Sequence, residues 1–423
     1  MDQADAIIVG SGLSGLTAAA ELADRGKQVI IVDQEPRSFL GGQAFWSLGG
    51  LLMIDTPVSG TSLGDDAADR GQKTNRDPVG DFALRAPSVI VTSGGIGGNF
   101  EMVRKVWPTD RLGPAPKDMV AGVPAHVDGR MIGISEDAGG HVINGDRMWH
   151  YTEGVKNWDP IWPAHGIRIL PGPSSMWFDA EGNRFAPPAL PGFDSMGTLR
   201  AILATGYEYS WFVLTQKIIK KEFALSGSEQ NPDFTSKSWV EVIKQRILAG
   251  AKATAPVEAF KERGEDFVVA NDLGTLVRGM NQIAGGNLID EAHLRTQIEA
   301  RDAQVDNPFS KDAQMMAIHA ARKYRGDKLL RTAKPHKFLD PSSGPLIAVK
   351  LHILTRKTLG GLQTNLDSQM IGASGDVVPG LFAAGEVAGF GGGGYHGYNA
   401  LEGTFLGGCI FSGRNAGRST AIA

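Results

Sequence analysis

Short apolar runs meet glycine turns at both ends of this chain, and helical spacing fills its middle. The run Ala6-Ile7-Ile8-Val9 predicts a buried parallel strand. It leads into Gly10-Ser11-Gly12-Leu13-Ser14-Gly15 and an alanine-rich helix over residues 16–25. A second apolar run, residues 28–32, ends at Asp33. Phe82-Ala83-Leu84 and residues 88–92 predict further strands, the latter running into Ser93-Gly94-Gly95-Ile96-Gly97-Gly98-Asn99. Between them residues 57–78 turn polar and read as an exposed loop. From residue 100 to about 345 the texture changes. Tryptophans and prolines cluster over residues 147–173 and predict a long irregular entry loop. Helical periodicity then covers residues 211–223, 238–248, 273–283 and 291–305, with Asp290 as the N-cap of the last. Strand-and-glycine texture returns in Lys357-Thr358-Leu359-Gly360-Gly361-Leu362 and in residues 379–386, which end at Gly385-Glu386. A final helix begins near Gly403-Thr404-Phe405.

This pattern predicts an α/β protein whose Rossmann-like domain is discontinuous, residues 1–100 and 346–423. Residues 101–345 form an inserted, mostly helical α+β capping domain.

The first strand, turn, helix and acid-tipped strand suit a dinucleotide. Gly10 permits the tight turn, Gly12 lets backbone approach a pyrophosphate, and Gly15 lets helix and strand pack closely. The helix N-terminus offers free N–H groups and a positive dipole end. Asp33 stands about 20 residues on, where a ribose hydroxyl needs an acceptor. Gly98 is expected to accept alanine with mild effect. The glycines of Gly41-Gly42-Gln43 would let backbone lie against a large flat cofactor.

Composition narrows the setting. The 423 residues carry a net charge of −4, which gives no basic footprint for nucleic acid. A single cysteine, Cys409, excludes an internal disulfide or a cysteine metal cluster, and the nine histidines lack ligand spacing, so no metal site is expected. A reducing, cytoplasmic setting without stable membrane insertion is the simplest reading.

Six motifs in order carry a resemblance: the N-terminal fingerprint, the Gly41-Gly42 loop, VIVTSGGIGGN, KTLGGL, GLFAAGEVAG and HGYNALEGTFLGG. The chain resembles the FAD-binding dehydrogenases related to fumarate reductase flavoprotein and 3-ketosteroid Δ1-dehydrogenase. That resemblance implies FAD, a substrate held between flavin and cap, and an electron acceptor of unknown identity. By position, Gly10, Gly12, Leu13, Ser14 and Gly15 would hold the pyrophosphate, and Asp33 with Gln34 the adenosine ribose. Gly41, Gly42 and Gln43 would line the flavin side, Ser93 and Gly94 the adenosine half. Gly361 and Gly385 fall in the C-terminal glycine elements, and Glu386 would accept from the ribityl chain. Gly403, Thr404, Phe405 and Leu406 would face the flavin pyrimidine, where the reduced flavin gathers negative charge.

The chain departs from the fumarate reductases at Lys357, Ala400 and Lys311, where they carry a histidine and two arginines. Lysine does not copy the planar fork of arginine. With Trp149, Tyr151, Trp158 and Trp162 in the cap entry, the expected substrate is small and apolar or ring-containing, a cyclic ketone rather than fumarate. The family usually has well over a hundred residues between Gly50 and the strand bearing Ser93. Here only residues 51–91 intervene, so this is a compact member or one that lost a segment near Pro57.

The expected reaction is oxidation or reduction of a CH–CH group next to a carbonyl. An amine or alcohol oxidase, or an inert flavin fold, are the alternatives. Tyr395, His396 and Tyr398, on the glycine-rich turn before the last helix, are the candidate proton-transfer groups. His150 and Tyr151 either line the substrate pocket or pack the cap. Glu402 structures the turn or touches the flavin.

Overall fold

Strand β1 (Ala6–Val9) is apolar at every position because it is covered on both faces; Ala6 and Ile8 are fully buried. The computed structural model describes residues 4–47, 80–231, 240, 250, 252–399 and 403–422. The loop expected over residues 57–78, nearly all of the helix expected over 238–248, and Ala400 and Glu402 therefore lie outside the described residues.

β1 pairs in parallel with β2 (Val29–Val32) and β3 (Ser88–Val91), with Ile8 opposite Ile31 and Ile90. The five-stranded sheet is completed by β15 (Val377–Ala383), parallel to β3, and β14 (Gln369–Ile371), antiparallel to β15; the order is β14-β15-β3-β1-β2. Its strands deliver the glycine turns to one edge, where an open α/β sheet binds its ligand. The first helix, Leu13–Ala23, lies against the C-terminal helix, Phe405–Ile422. Glycine permits the closeness: a Cβ on Gly417 would stand 2.6 Å from the Ala18 carbonyl oxygen.

The second sheet has eight strands and forms the larger core. Its path is β10 (Ala224–Leu225), β7 (Gly166–Leu170), β6 (Met148–Lys156), β12 (Leu346–Thr358), β9 (Tyr209–Thr215), β8 (Met176–Phe178). β11 (Phe267–Ala270) and β4 (Val120–Ala121) also pair with β12. A small pair, β5 (Val142–Ile143) with β13 (Gly361–Leu362), links the two parts. The helices Ala255–Arg263, Leu273–Ala284 and Glu291–Asp302 bury Phe260, Leu276 and Ile298 against this sheet. Asp290 caps the last of them, accepting from His293 N at 2.8 Å.

The inserted part packs its helices on the second sheet. Three expectations are corrected here. Residues 147–173 are a paired β6–β7 hairpin rather than an irregular loop. Residues 211–215 belong to β9; the helix starts only at Gln216 (Gln216–Glu222). Trp211, Phe212, Val213 and Leu214 are wholly buried between β8 and β12, and an unbroken apolar run suits a doubly covered strand as well as a helix. Phe82-Ala83-Leu84 is not a strand but extended chain leading to β3, with Phe82 exposed. β12, starting where the sequence sets the return of the first domain, is central to the second sheet; the chain rejoins the first sheet at Gln369.

Candidate flavin and substrate site

The candidate nucleotide end is built from backbone. Gly10 has φ +109, and a Cβ there would stand 2.6 Å from the Thr92 carbonyl oxygen. A Cβ at Gly15 would strike the Gly10 carbonyl. Gly12 differs: the nearest atom to its Cβ would be Thr92 O at 3.9 Å, so the residue faces open space. It also caps the first helix without a side-chain hydrogen bond, leaving the helix N–H groups uncovered by any cap. The Gly41-Gly42 loop closes over this turn: Gly41 N donates to Ser11 O at 2.9 Å, and Gly41 bridges Gly12. Asp33 accepts from Ser11 N at 2.5 Å and Ser11 Oγ at 2.7 Å, while its other oxygen takes Glu35 N.

Two cavities meet at this turn, and Gly12 and Gln43 line both. One, of about 470 Å³, has Gly10, Asp33, Gln34, Gly42, Ser93 and Gly94 in its wall, with Val127, Met131 and Ile134 as apolar cover. The other, of about 340 Å³, is walled by Leu13, Ser14, Gly41, Glu386, Gly403, Phe405 and Leu406. Of the remaining expected cofactor residues, Gly15, Gly361, Gly385 and Thr404 line neither. Gly15 and Gly385 act through packing: Gly385 has φ +77 and sits where any Cβ would collide with Ser14 Oγ.

At the junction Gln43 Nε2 donates to Glu386 Oε2, and Thr358 N donates to Glu386 Oε1 at 2.8 Å. Glu386 is buried, whereas Gln43 Oε1 is buried without a partner among the described residues. An orphaned polar atom between two connected cavities marks a place for a ligand's hydrogen-bonding group. The open cradle at Gly12, the uncovered helix N-terminus and this orphan all fit FAD extended from the larger cavity into the smaller.

The smaller cavity also takes in β6 and β12. Tyr151, Arg356 and Lys357 line it beside Phe390, Phe405 and Cys409. Adjacent residues of a regular strand point to opposite faces. The β6–β12 register shifts between Leu354 and Lys357, and this irregularity lets Arg356 and Lys357 reach the same cavity. Tyr151, opposite Leu354, is buried, and the Arg168 guanidinium lies 3.5 Å from its ring centroid. Lys357 Nζ lies 5.5 Å from the Phe405 ring.

The three proton-transfer candidates lie just behind this wall; none lines the cavity. His396 is buried with Nε2 unpartnered among the described residues, its ring 5.8 Å from that of Phe390 and 5.5 Å from that of Phe405, and desolvation holds its pKa below the ordinary histidine value. The Tyr395 ring lies tilted against it, centroids 4.0 Å apart, and is exposed. Tyr398 donates to Asp146, which raises its pKa, and Arg111 covers its ring at 3.2 Å. Arg147 donates to the carbonyls of Gly394 and His396, so the whole turn is pinned from the loop after β5.

In the cap, His150 is core: it stacks on Trp107, and burial takes its pKa down to about 4. Trp162 stacks on His165 at 3.6 Å, and Arg263 lies over Trp158, so of the four aromatic residues named from the sequence only Tyr151 reaches the cavity. Lys311 lines a separate groove beside Arg184 and Arg301. Sequence reasoning missed Arg356 and left Tyr151 open between pocket lining and packing; the signal was the β6 alternation, hidden among prolines.

The model of the FAD binding domain family matches residues 5–75 and 72–406. A KsdD-like steroid dehydrogenase of Mycobacterium tuberculosis (strain CDC 1551 / Oshkosh) is 46% identical over 544 residues, covering 99% of this chain and 96% of that protein. One from Mycolicibacterium smegmatis is 45% identical, covering 96% of each. Among solved structures, 3-ketosteroid delta1-dehydrogenase from Sterolibacterium denitrificans superposes with a TM-score of 0.65 at 13% identity, covering all of both chains, which shows the fold. An alignment of 544 residues against a chain of 423 leaves more than a hundred positions of the M. tuberculosis relative without a counterpart. The family match breaks at residues 72–75, which places that shortening inside the stretch singled out in the sequence. Among the described residues, no helix is long and apolar enough to cross a membrane. This chain belongs to the FAD-binding family of the fumarate reductase flavoproteins and KsdD-like dehydrogenases, and it is an FAD-dependent oxidoreductase of the CH–CH class.

Proposed function

We infer that the substrate is a steroid-like or other cyclic ketone and that the enzyme removes two hydrogens from adjacent carbons next to its carbonyl. The observation that carries this reading is the composition of the smaller cavity: Tyr151, Phe390, Phe405 and Leu406 form an apolar wall beside the flavin-side motifs. The nearly full-length relatives named as steroid dehydrogenases support it. FAD supplies a hydride acceptor when bound. The residues of the chain must then hold the rings, polarise the carbonyl and accept a proton. His396, behind the cavity wall with its pKa held below the ordinary value by desolvation, is our choice for proton acceptance, with Tyr395 tilted against it. Tyr151 offers the hydroxyl that lies at the cavity itself. Leu13, Ser14 and Gly12 would take the pyrophosphate, Asp33 and Gln34 the ribose, Glu386 and Gln43 the ribityl chain. The positive charges of Arg356 and Lys357 and the N-terminus of the last helix would face the flavin pyrimidine. One cysteine and no spanning helix among the described residues suit a cytoplasmic setting.

The test is anaerobic mixing of the FAD-loaded protein with ketosteroids, cyclic enones, dicarboxylates, amines and alcohols, read as bleaching or return of flavin absorbance. Ketosteroids or related ring ketones are expected to bleach it. Brisk exchange with succinate or fumarate, or bleaching by an amine or alcohol alone, would refute the reading.

A further inference from the structure

The chain is acidic overall, yet residues 322–334, Arg-Lys-Tyr-Arg-Gly-Asp-Lys-Leu-Leu-Arg-Thr-Ala-Lys, hold six cations against one acid, Asp327. They follow the helix Ala313–Ala321 and contain one wide helical turn, Asp327–Arg331, in which no residue is buried. Tyr324, Leu329 and Leu330 are 69%, 56% and 65% exposed. Lys323, Arg325, Lys328, Arg331 and Lys334 are exposed around them. Among the described residues, Lys323, Arg325 and Lys328 are in no ion pair.

The neighbouring helix, Gln216–Glu222, extends the charge. Lys221 Nζ donates to Leu329 O, and Lys217 and Lys220 stand exposed beside it. Desolvation together with Arg322 and Lys220 pulls the Lys221 pKa down, as expected where cations gather on one face. None of these residues lines the flavin or substrate cavities.

We propose that this face docks on an anionic lipid surface, with Leu329, Leu330 and Tyr324 entering the headgroup boundary and the surrounding lysines and arginines meeting lipid phosphates. Two adjacent leucines on an exposed turn gain nothing from water, and among the described residues more than half of each stays uncovered. Long cationic side chains lay their stems along such apolar surface and lift their charges to the phosphate level. Cations draw the face to an anionic membrane, and the apolar tip holds it there. An acidic protein or a nucleic acid would use the charge and leave the leucines idle.

The experiment is co-sedimentation of the FAD-loaded protein with phosphatidylcholine vesicles, with and without phosphatidylglycerol, at low and high salt. Two double variants are compared, Lys323→Glu/Lys328→Glu and Leu329→Ser/Leu330→Ser, with flavin content as the check on folding. Wild type is expected to sediment with phosphatidylglycerol vesicles and to be released by salt. Each double variant should bind them at least about tenfold less, with flavin content unchanged. Equal binding by all three proteins, equal binding to pure phosphatidylcholine, or no binding would overturn the proposal. So would a DNA duplex or a polyglutamate chain retained by the leucine variant as well as by wild type while vesicles are not.

Discussion

The two ends of the proposed cofactor site are made from different materials. At the nucleotide end, Gly10, Gly12, Gly15, Gly41 and Gly42 do the shaping, and the groups offered to a ligand are backbone N–H and the carboxylate of Asp33. At the substrate end, side chains do it: Tyr151 and Lys357 from two paired strands, Phe390 and Phe405 from the C-terminal segment. Backbone sites depend on the absence of a Cβ at a few positions close in sequence. Side-chain sites depend on strand register between segments some 200 residues apart. The first kind tolerates no added atom; the second tolerates substitution and can change its ligand, which is how one cofactor scaffold serves several substrates.

The largest effect should come from the backbone end. A Cβ at Gly12 has room in the protein but occupies the space facing the cavities, so Gly12→Val should fold and lose FAD almost completely. Gly15→Val should lose FAD and stability together, since its Cβ meets the Gly10 carbonyl. Flavin absorbance and a thermal melt separate the two; flavin content in Gly12→Val equal to wild type would break the comparison. Gly98→Ala, expected from the sequence to be mild, should also destabilise, because its Cβ would stand 2.8 Å from Pro124 O and 3.0 Å from Val127 O.

Next comes the substrate end. Removing a general acid or base costs about 10²–10⁴-fold in rate. At least one of Tyr395→Phe, His396→Ala and Tyr398→Phe should lose that much in flavin reduction by substrate, with FAD content kept. Tyr151→Phe is the companion, and rapid-mixing rates decide among them. A loss in Tyr151→Phe alone would move the proton transfer from the turn to β6. Wild-type rates in all four would leave the side-chain half of the account without its chemistry.

A smaller effect is expected at the junction. Glu386→Ala removes an acceptor held by Gln43 and Thr358 and should weaken FAD about tenfold or more, since a charged hydrogen bond is worth about 1.5–3 kcal/mol. Titration of the apoprotein with FAD gives the number; unchanged affinity would remove Glu386 from the cofactor site.

The last effect is one of pH, in the capping part. Glu222 is buried, and desolvation raises its pKa to about 7 although Ser174 and Ala333 donate to it. Its folded pKa lies above the unfolded one, so the folded state holds the extra proton. Stability from this group is present at low pH and falls as pH rises from about 4.5 to 7, by about 3 kcal/mol at most. Urea midpoints across that range should fall in wild type. They should lose this slope in Glu222→Ala, itself less stable throughout.

The comparison also explains what the sequence disclosed. The first sheet and the glycine turns at its edge were legible because each glycine answers a local demand of the turn. The strand that carries Tyr151 was not, because β6 becomes a strand only by pairing with β12, and its residues sit among tryptophans and prolines that look like loop. Trp211 to Leu214 misled for a related reason: four buried apolar residues carry no period, and partners at β8 and β12 decide for strand. Tyr398 falls on the glycine turn, but its engagement with Asp146 and Arg111 depends on two segments more than 250 residues earlier.

The most direct test of the central claim, that this backbone cradle and this apolar wall act on one ring ketone, is a single-turnover reaction of the FAD-loaded protein with a saturated ketosteroid, without oxygen. Flavin absorbance and product mass are read together. The account predicts bleaching matched by a product two hydrogens lighter, with the new double bond next to the carbonyl. Bleaching without that product, or an unbleached flavin in the presence of every ring ketone while succinate reduces it, would contradict it.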